Sequence, residues 1–218
     1  MDTPPDVARI AEKPRFRGSL HHAAAWYALG SGSVLVAMAS SARAAVAAAI
    51  YSLSLVALFT VSAVYHKVNW QSVVARARMR RADHASIFIL IAGTYTPISI
   101  LGIGGSDGRR LLISIWIGAA AGVILSLTWA RAPKGLTAAL AVAVGWTIAP
   151  YIDDVRRILG TDLWLIAAGG IAYTIGAIVY ASKRPNPWPR SFGYHEVFHA
   201  LTLVGAVLHF AVVVRMVR

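Results

Sequence analysis

Long apolar runs alternate along the whole chain with short polar and charged ones. An α-helix needs about 20 residues to cross a hydrocarbon core of about 30 Å. Seven runs come close to this or reach it: Leu20–Ser40, Ala44–Tyr65, His84–Ile103, Leu111–Ala130, Leu136–Ile152, Leu163–Ala181 and His195–Val214. None shows the alternating pattern of a barrel strand. Backbone groups in lipid must be satisfied within their own segment, so each run is predicted to be a helix. The expected architecture is an all-α, seven-transmembrane helix bundle over residues 19–218, preceded by a short tail, residues 1–18. The fifth run is the shortest and carries Pro150. Turn signals separate the runs, notably Gly104-Gly105-Ser106-Asp107-Gly108, Ala132-Pro133-Lys134-Gly135 and the proline-rich stretch from Lys183 to Arg190. Gly118, Gly122, Gly169 and Gly170 fall inside spans, where small residues let helices approach.

Composition strengthens this picture. Of 218 residues, 57% are hydrophobic and 14% charged, with a mean hydropathy of +0.61. Soluble domains average about 25% charged residues. No cysteine is present, which excludes disulfides, thiol nucleophiles and thiolate metal sites. The net charge of +12 is read as a topology signal beside anionic headgroups, with no nucleic-acid partner. With seven spans, the 21 Lys and Arg divide into 14 on the side of the N-terminus and 7 on the other. The positive-inside rule then puts the N-terminus in the cytoplasm and the C-terminus outside. The first 18 residues mix charges with Pro4, Pro5 and Pro14, and read as a cytoplasmic tail in place of a signal peptide.

Ionisable groups within spans are costly and mark function by default. Ser62 and His66 are four residues apart and share a helix face, as do His195 and His199. In the expected topology, His66 ends the second span at the cytoplasmic side. Asp83 opens the third there, and His195 and His199 lie in the first two turns of the seventh. One membrane level therefore collects three imidazoles and a carboxylate. Three His ligands with a fourth position open describe a catalytic type of zinc site, in which coordinated water has a pKa near 7. The metal ligands are assigned as His66, His195 and His199, with Asp83 as the base and Ser62 as a positioning group. His209 lies about 15 Å further along the helix at 1.5 Å per residue and is read as a packing contact. His21 and His22 are read as interfacial, and His84 as a headgroup or packing contact.

The segment His195-Glu196-Val197-Phe198-His199 also spells the HExxH pattern of zinc metalloproteases, in which the Glu is the general base. A protease would need a further ligand in a later span, and this pair already lies in the last one. The basic run Arg76-Ala77-Arg78-Met79-Arg80-Arg81 reads as a cytoplasmic anchor, with attraction of anionic headgroups as the functional alternative. Pro97 is expected to kink the third helix, with nearby Thr hydroxyls bonding the freed carbonyls.

Taken together, Ser62 and His66, the Arg81-Ala82-Asp83-His84 entry, the Gly93–Pro97 segment and the Phe192–His199 start of the last span resemble bacterial hemolysin III proteins. These belong with the progestin and adipoQ receptors, which include the adiponectin receptors. The resemblance covers residues 15–214. It implies seven helices with the N-terminus inside, and zinc held by one His of the second helix and two of the seventh, here His66, His195 and His199. The family's zinc-water carboxylate falls on Asp83 and its second-helix serine on Ser62. Where family members often carry a Glu, Asn and Thr-His pattern before the first span, this chain has Arg17-Gly18-Ser19-Leu20-His21-His22. Glu196 is a Gln in the related receptors. The implied activity is zinc-dependent hydrolysis of a lipid amide or ester, with a ceramide-like lipid as candidate, in the cell membrane and with membrane lipids as partners. The alternatives are a receptor or regulator of membrane state with structural zinc, and the cytolysis in the family's name.

Overall fold

The computed structural model describes residues 13–129 and 133–218. These residues form eight α-helices: α1 (Ser19–Ala37), α2 (Ala42–Lys67), α3 (Val73–Pro97), α4 (Gly105–Thr128), α5 (Lys134–Gly145), α6 (Ile152–Leu159), α7 (Leu163–Ser182) and α8 (Tyr194–Val217). No strand ladder occurs among them; Trp188 and Phe192 make an isolated bridge in the loop before α8. The protein is a multi-pass, all-helical membrane protein. Among the described residues, five helical stretches are long and apolar enough to cross a bilayer: Ala42–Lys67, Val73–Ile103, Gly105–Thr128, Gly135–Ser182 and Tyr194–Val217. The fourth of these has 48 residues, more than twice what one crossing needs. Outward-facing Trp26, Leu53, Ile117, Ile124, Ile178 and Val207 stay exposed, as befits surfaces whose solvent is lipid.

Three predicted elements differ, one of them the Gly104-Gly105-Ser106-Asp107-Gly108 turn, whose residues from Gly105 on open α4. The third run is predicted from His84, where charge gives way to apolar residues, but the helix begins at Val73. Ser72 caps it, its hydroxyl accepting from Ala75 N at 3.3 Å. A hydropathy boundary follows the lipid edge, whereas a helix boundary follows the cap. The basic run and Asp83 are therefore helical, with Asp83 in the third turn. The fifth run, Leu136–Ile152, is continuous helix only to Gly145; Trp146–Tyr151 tightens into a 3₁₀ turn. Pro150 has no N–H for the i→i−4 ladder, which accounts for the break.

At Pro97, α3 passes into a π-type segment, Ile98–Ile103. The Thr94 and Thr96 hydroxyls donate to the carbonyls of Leu90 and Ala92, each at 2.8 Å. Both acceptors precede Gly93, so neither hydroxyl takes up the carbonyl that Pro97 leaves without its backbone donor.

The core divides along the bundle. Buried residues of α1, α2, α3 and α8, among them Leu35, Tyr51, Leu55, Leu90 and Val213, form one cluster. A second, including Tyr95, Leu111, Ile148, Val155 and Val212, joins α3, α4 and α8 to the irregular α5–α7 region. Among the four span glycines, Gly122 lies against the Phe88 ring and Gly169 against the His209 ring, so closely that a Cβ would overlap them. A Cβ at Gly118 would meet Val144 at 3.2 Å, and one at Gly170 only Trp146 at 3.8 Å.

Of the predicted tail, residues 1–12 lie outside the described residues. The remainder of the tail is tied down: Arg15 N and Phe16 N donate to Arg190 O and Ser191 O, at 3.0 and 3.2 Å. The Lys13 ammonium donates to the carbonyls of His66 (3.4 Å) and Val68 (3.2 Å), at the end of α2. Gly18 turns this segment into α1 with φ +76°, and a Cβ there would come within 2.7 Å of the His66 Cβ. The start of α1, the end of α2 and the start of α8 are thus held at one end of the bundle.

Candidate metal centre and its cavity

His66 sits in the last turn of α2, and His195 and His199 in the first two turns of α8. One ligand atom from each of the three lies within 4.8 Å of the other two. His66 Nε2 and His195 Nε2 face each other at 3.0 Å. The ring centroids are 4.6 Å apart for His66–His195, 5.1 Å for His66–His199 and 4.5 Å for His195–His199. All three side chains are buried. Asp83 Oδ2 lies 4.0 Å from His66 Nε2 and completes a compact N₃ set with an adjacent carboxyl.

These residues fit a divalent metal. Imidazole nitrogens bind zinc at about 2.0–2.1 Å, so three donors within a few ångströms of one another can share one ion with side-chain adjustment alone. Two imidazole nitrogens aimed at each other in a buried site also share either one proton or one cation between them.

His21, read from the sequence as interfacial, is instead buried at 2% exposure inside this site. Its ring stacks on His199, with centroids 3.7 Å apart and planes 9° from parallel. Its Nδ1 lies 2.8 Å from Ser62 Oγ. His21, Ser62 and Asp83 all line the cavity beside the histidines. A signal was present: His21, Ala24, Ala28, Gly32 and Leu35 are the buried residues of α1 and follow helical spacing. His22, one residue on, is exposed.

Glu196 has a role the HExxH pattern does not suggest. It is 1% exposed. Its Oε1 accepts from Arg17 Nε at 2.6 Å and its Oε2 from Gly193 N at 2.8 Å, closing the start of α8. Both oxygens are engaged away from the histidines, so the protease arrangement is not formed. Arg17 was legible only as a basic residue of the tail; its partner lies 179 positions away. His84 Nε2 is 3.3 Å from the Tyr180 hydroxyl. His209 Nε2 lies 3.2 Å from Ile166 O, a packing contact.

The histidines open onto a cavity of about 830 Å³. Arg76, Arg80 and Arg81 line one end together with Asp83 and the three histidines, and Leu58, Leu90, Val142 and Ile148 are among the apolar residues further in. This volume suits an extended organic ligand.

The haemolysin-III related family model matches residues 10–210. The chain belongs to this family. It is 30% identical over 171 residues to Hemolysin-3 of Bacillus cereus, covering 78% of this chain and 74% of that protein. It is 26% identical over 168 residues to the human monocyte to macrophage differentiation factor, covering 74% of this chain and 66% of that one. Similarity extends to an adiponectin receptor protein of Drosophila melanogaster, 26% over 183 residues, or 68% of this chain and 37% of the receptor. The haemolysin III assignment agrees with the resemblance drawn from the Ser62–His66, Asp83 and His195–His199 segments.

Proposed function

We propose that this haemolysin III family protein is a zinc-dependent hydrolase acting on a lipid amide or ester at the inner face of a cell membrane. The observation that carries the reading is the meeting of His66, His195, His199 and Asp83 at the head of a cavity whose further walls are apolar. His66, His195 and His199 would hold the ion, and zinc so bound supplies Lewis acidity. Asp83 accepts a proton at its carboxylate from the attacking water and can return it to the leaving group. Ser62 would position that carboxylate and is itself held by His21. The apolar walls take the hydrocarbon chain and keep bulk water from the reacting bond.

The same reading has seven crossings, formed by α1, α2, α3, α4, α5, α7 and α8, with the N-terminus inside. The 48-residue Gly135–Ser182 stretch supports it, being long enough for α5 to cross one way and α7 the other. The division of 14 against 7 basic residues supports the orientation.

The test is metal analysis of purified protein with lipid hydrolysis measured on the same samples. The wild type should carry about one zinc per chain, as a three-histidine site with one open position holds a single ion. His199→Ala should lose both metal and activity. Full zinc occupancy in His199→Ala would reject the ligand assignment. Asp83→Asn should keep its metal and lose about 10²–10⁴-fold in rate, the range for general acid–base catalysis. Similarity to the Drosophila adiponectin receptor protein favours a second reading, a receptor with structural zinc. In that case Asp83→Asn keeps both its zinc and its cellular effect.

A further inference from the structure

The cavity mouth is strongly basic. Lys13, Arg17, Arg76, Arg80 and Arg81 line it, and Asp83 is the single carboxylate among its described lining residues. Arg17 pairs with Glu196, and Lys13 donates to the carbonyls of His66 and Val68. Arg81 donates to Leu127 O at 3.3 Å. Arg76 and Arg80 are exposed and stand one helical turn apart on the same side of α3.

A topology signal needs only a number of cations on one side of the membrane. It does not need them to face an interior space. Three of the four arginines in the run line the cavity; Arg78 does not. Along α3 the lining residues follow one helical stripe: Arg76, Arg80, then Asp83 and His84, then Ile87, Leu90 and Ile91. That stripe passes in order from basic to catalytic to apolar. At 1.5 Å per residue, Arg80 and Arg76 stand about 5 and 10 Å along the axis from Asp83. Tyr65 and Tyr180 line the same cavity. Guanidinium groups recognise the oxygens of phosphates and carboxylates, and phenol hydroxyls donate to the same oxygens.

The geometry points to a binding site at Arg76 and Arg80 for the anionic end, a phosphate or carboxylate, of a lipid amphiphile whose hydrocarbon chain lies in the apolar arm. An ester or amide a few bonds from the anion then falls at Asp83 and the histidines. Only this last point rests on the hydrolase reading; the anion site does not. The cavity thus selects an acidic lipid over a neutral one of the same chain length.

The experiment measures binding to the purified full chain in neutral detergent micelles, by native mass spectrometry. The probes are 1-oleoyl lysophosphatidic acid, 1-oleoylglycerol (the same ester and chain without phosphate), and inorganic phosphate alone. Lysophosphatidic acid should bind about tenfold or more tightly than the neutral ester, the scale of one charge-assisted contact, with no competition from millimolar phosphate. Arg76→Gln/Arg80→Gln should lose about tenfold in affinity for the acidic lipid and none for the neutral one, whereas Arg78→Gln changes neither. Unaltered metal content and a single gel-filtration peak show that the double variant is folded.

Equal binding of the two lipids overturns the proposal, as does an unchanged double variant. Competition by phosphate alone replaces the amphiphile with a free-anion site and overturns it too. His199→Ala separates the two readings. If the acidic preference disappears there but survives in Arg76→Gln/Arg80→Gln, the ion and not the arginines holds the anion, and the arginine site fails while the metal reading stands. If no sample contains metal yet the preference follows the arginines, the hydrolase reading fails and the anion site stands.

Discussion

The Ser62 hydroxyl has one proton to give, and His21 Nδ1 stands 2.8 Å from its oxygen, so the direction of that proton depends on His21. His21→Phe preserves a ring to stack on His199 and removes the bond to Ser62. Metal content should stay at the wild-type level while the hydrolysis rate falls about tenfold, the order of one lost hydrogen bond of about 1–1.5 kcal/mol. Metal lost together with activity would make His21 part of the metal's support and not a partner of Ser62. The Arg17–Glu196 pair calls for a different measurement. Glu196 is almost fully buried and Arg17 has 22% of its side chain exposed. Removing one partner of a buried pair costs about 3–5 kcal/mol, and Arg17's partial exposure puts the expected cost of Arg17→Ala at the lower end. Thermal unfolding in detergent should show it as a clear drop in Tm. An unchanged Tm would mean that water reaches Glu196.

Between elements, close approach rests on absent side chains. Gly122 of α4 lies against Phe88 of α3, about one turn beyond Asp83. Gly122→Ala forces Phe88 to move, at about 1–3 kcal/mol for overpacking, and should lower Tm. Gly170→Ala in α7 meets only Trp146 at 3.8 Å, and the gain in helix propensity should leave Tm equal or raised. If both variants behaved alike, the α3–α4 contact would be looser than these distances require. Gly18 has a second constraint: its φ of +76° suits glycine, and its Cα faces His66. The short entry to α1 therefore helps set where His66 stands. Helix α3 ties the mouth to the site. Because Ser72 caps it well before the apolar run opens at His84, Arg76, Arg80 and Asp83 are rigidly spaced on one helix.

For the whole molecule, the absence of cysteine makes the sidedness of the bundle directly measurable. Single cysteines at Ser106 and Trp188, probed on intact cells with a membrane-impermeant maleimide, should label at 106 and stay protected at 188 until the cells are opened. The reverse pattern would invert the orientation and place the metal centre outside. The class of the protein and the helices that carry its chemistry follow from the chain alone. Apolar length and sparse charge suffice for that, because lipid admits no unsatisfied backbone. The pairs Ser62–His66 and His195–His199 were also legible, since i and i+4 share a helix face whatever the surroundings. Long-range partners were not. His21 against His199, Arg17 against Glu196 and the arginine face on the cavity depend on how separate helices are rotated and stacked. That rotation is set by the packing of many small and apolar residues at once, such as Gly122 on Phe88 and Gly169 on His209, and no local pattern encodes it. The same holds for Glu196. Its motif suggested a general base, yet folding made it an ion-paired cap, because a buried carboxylate needs partners, and Arg17 and the backbone of Gly193 lay nearest.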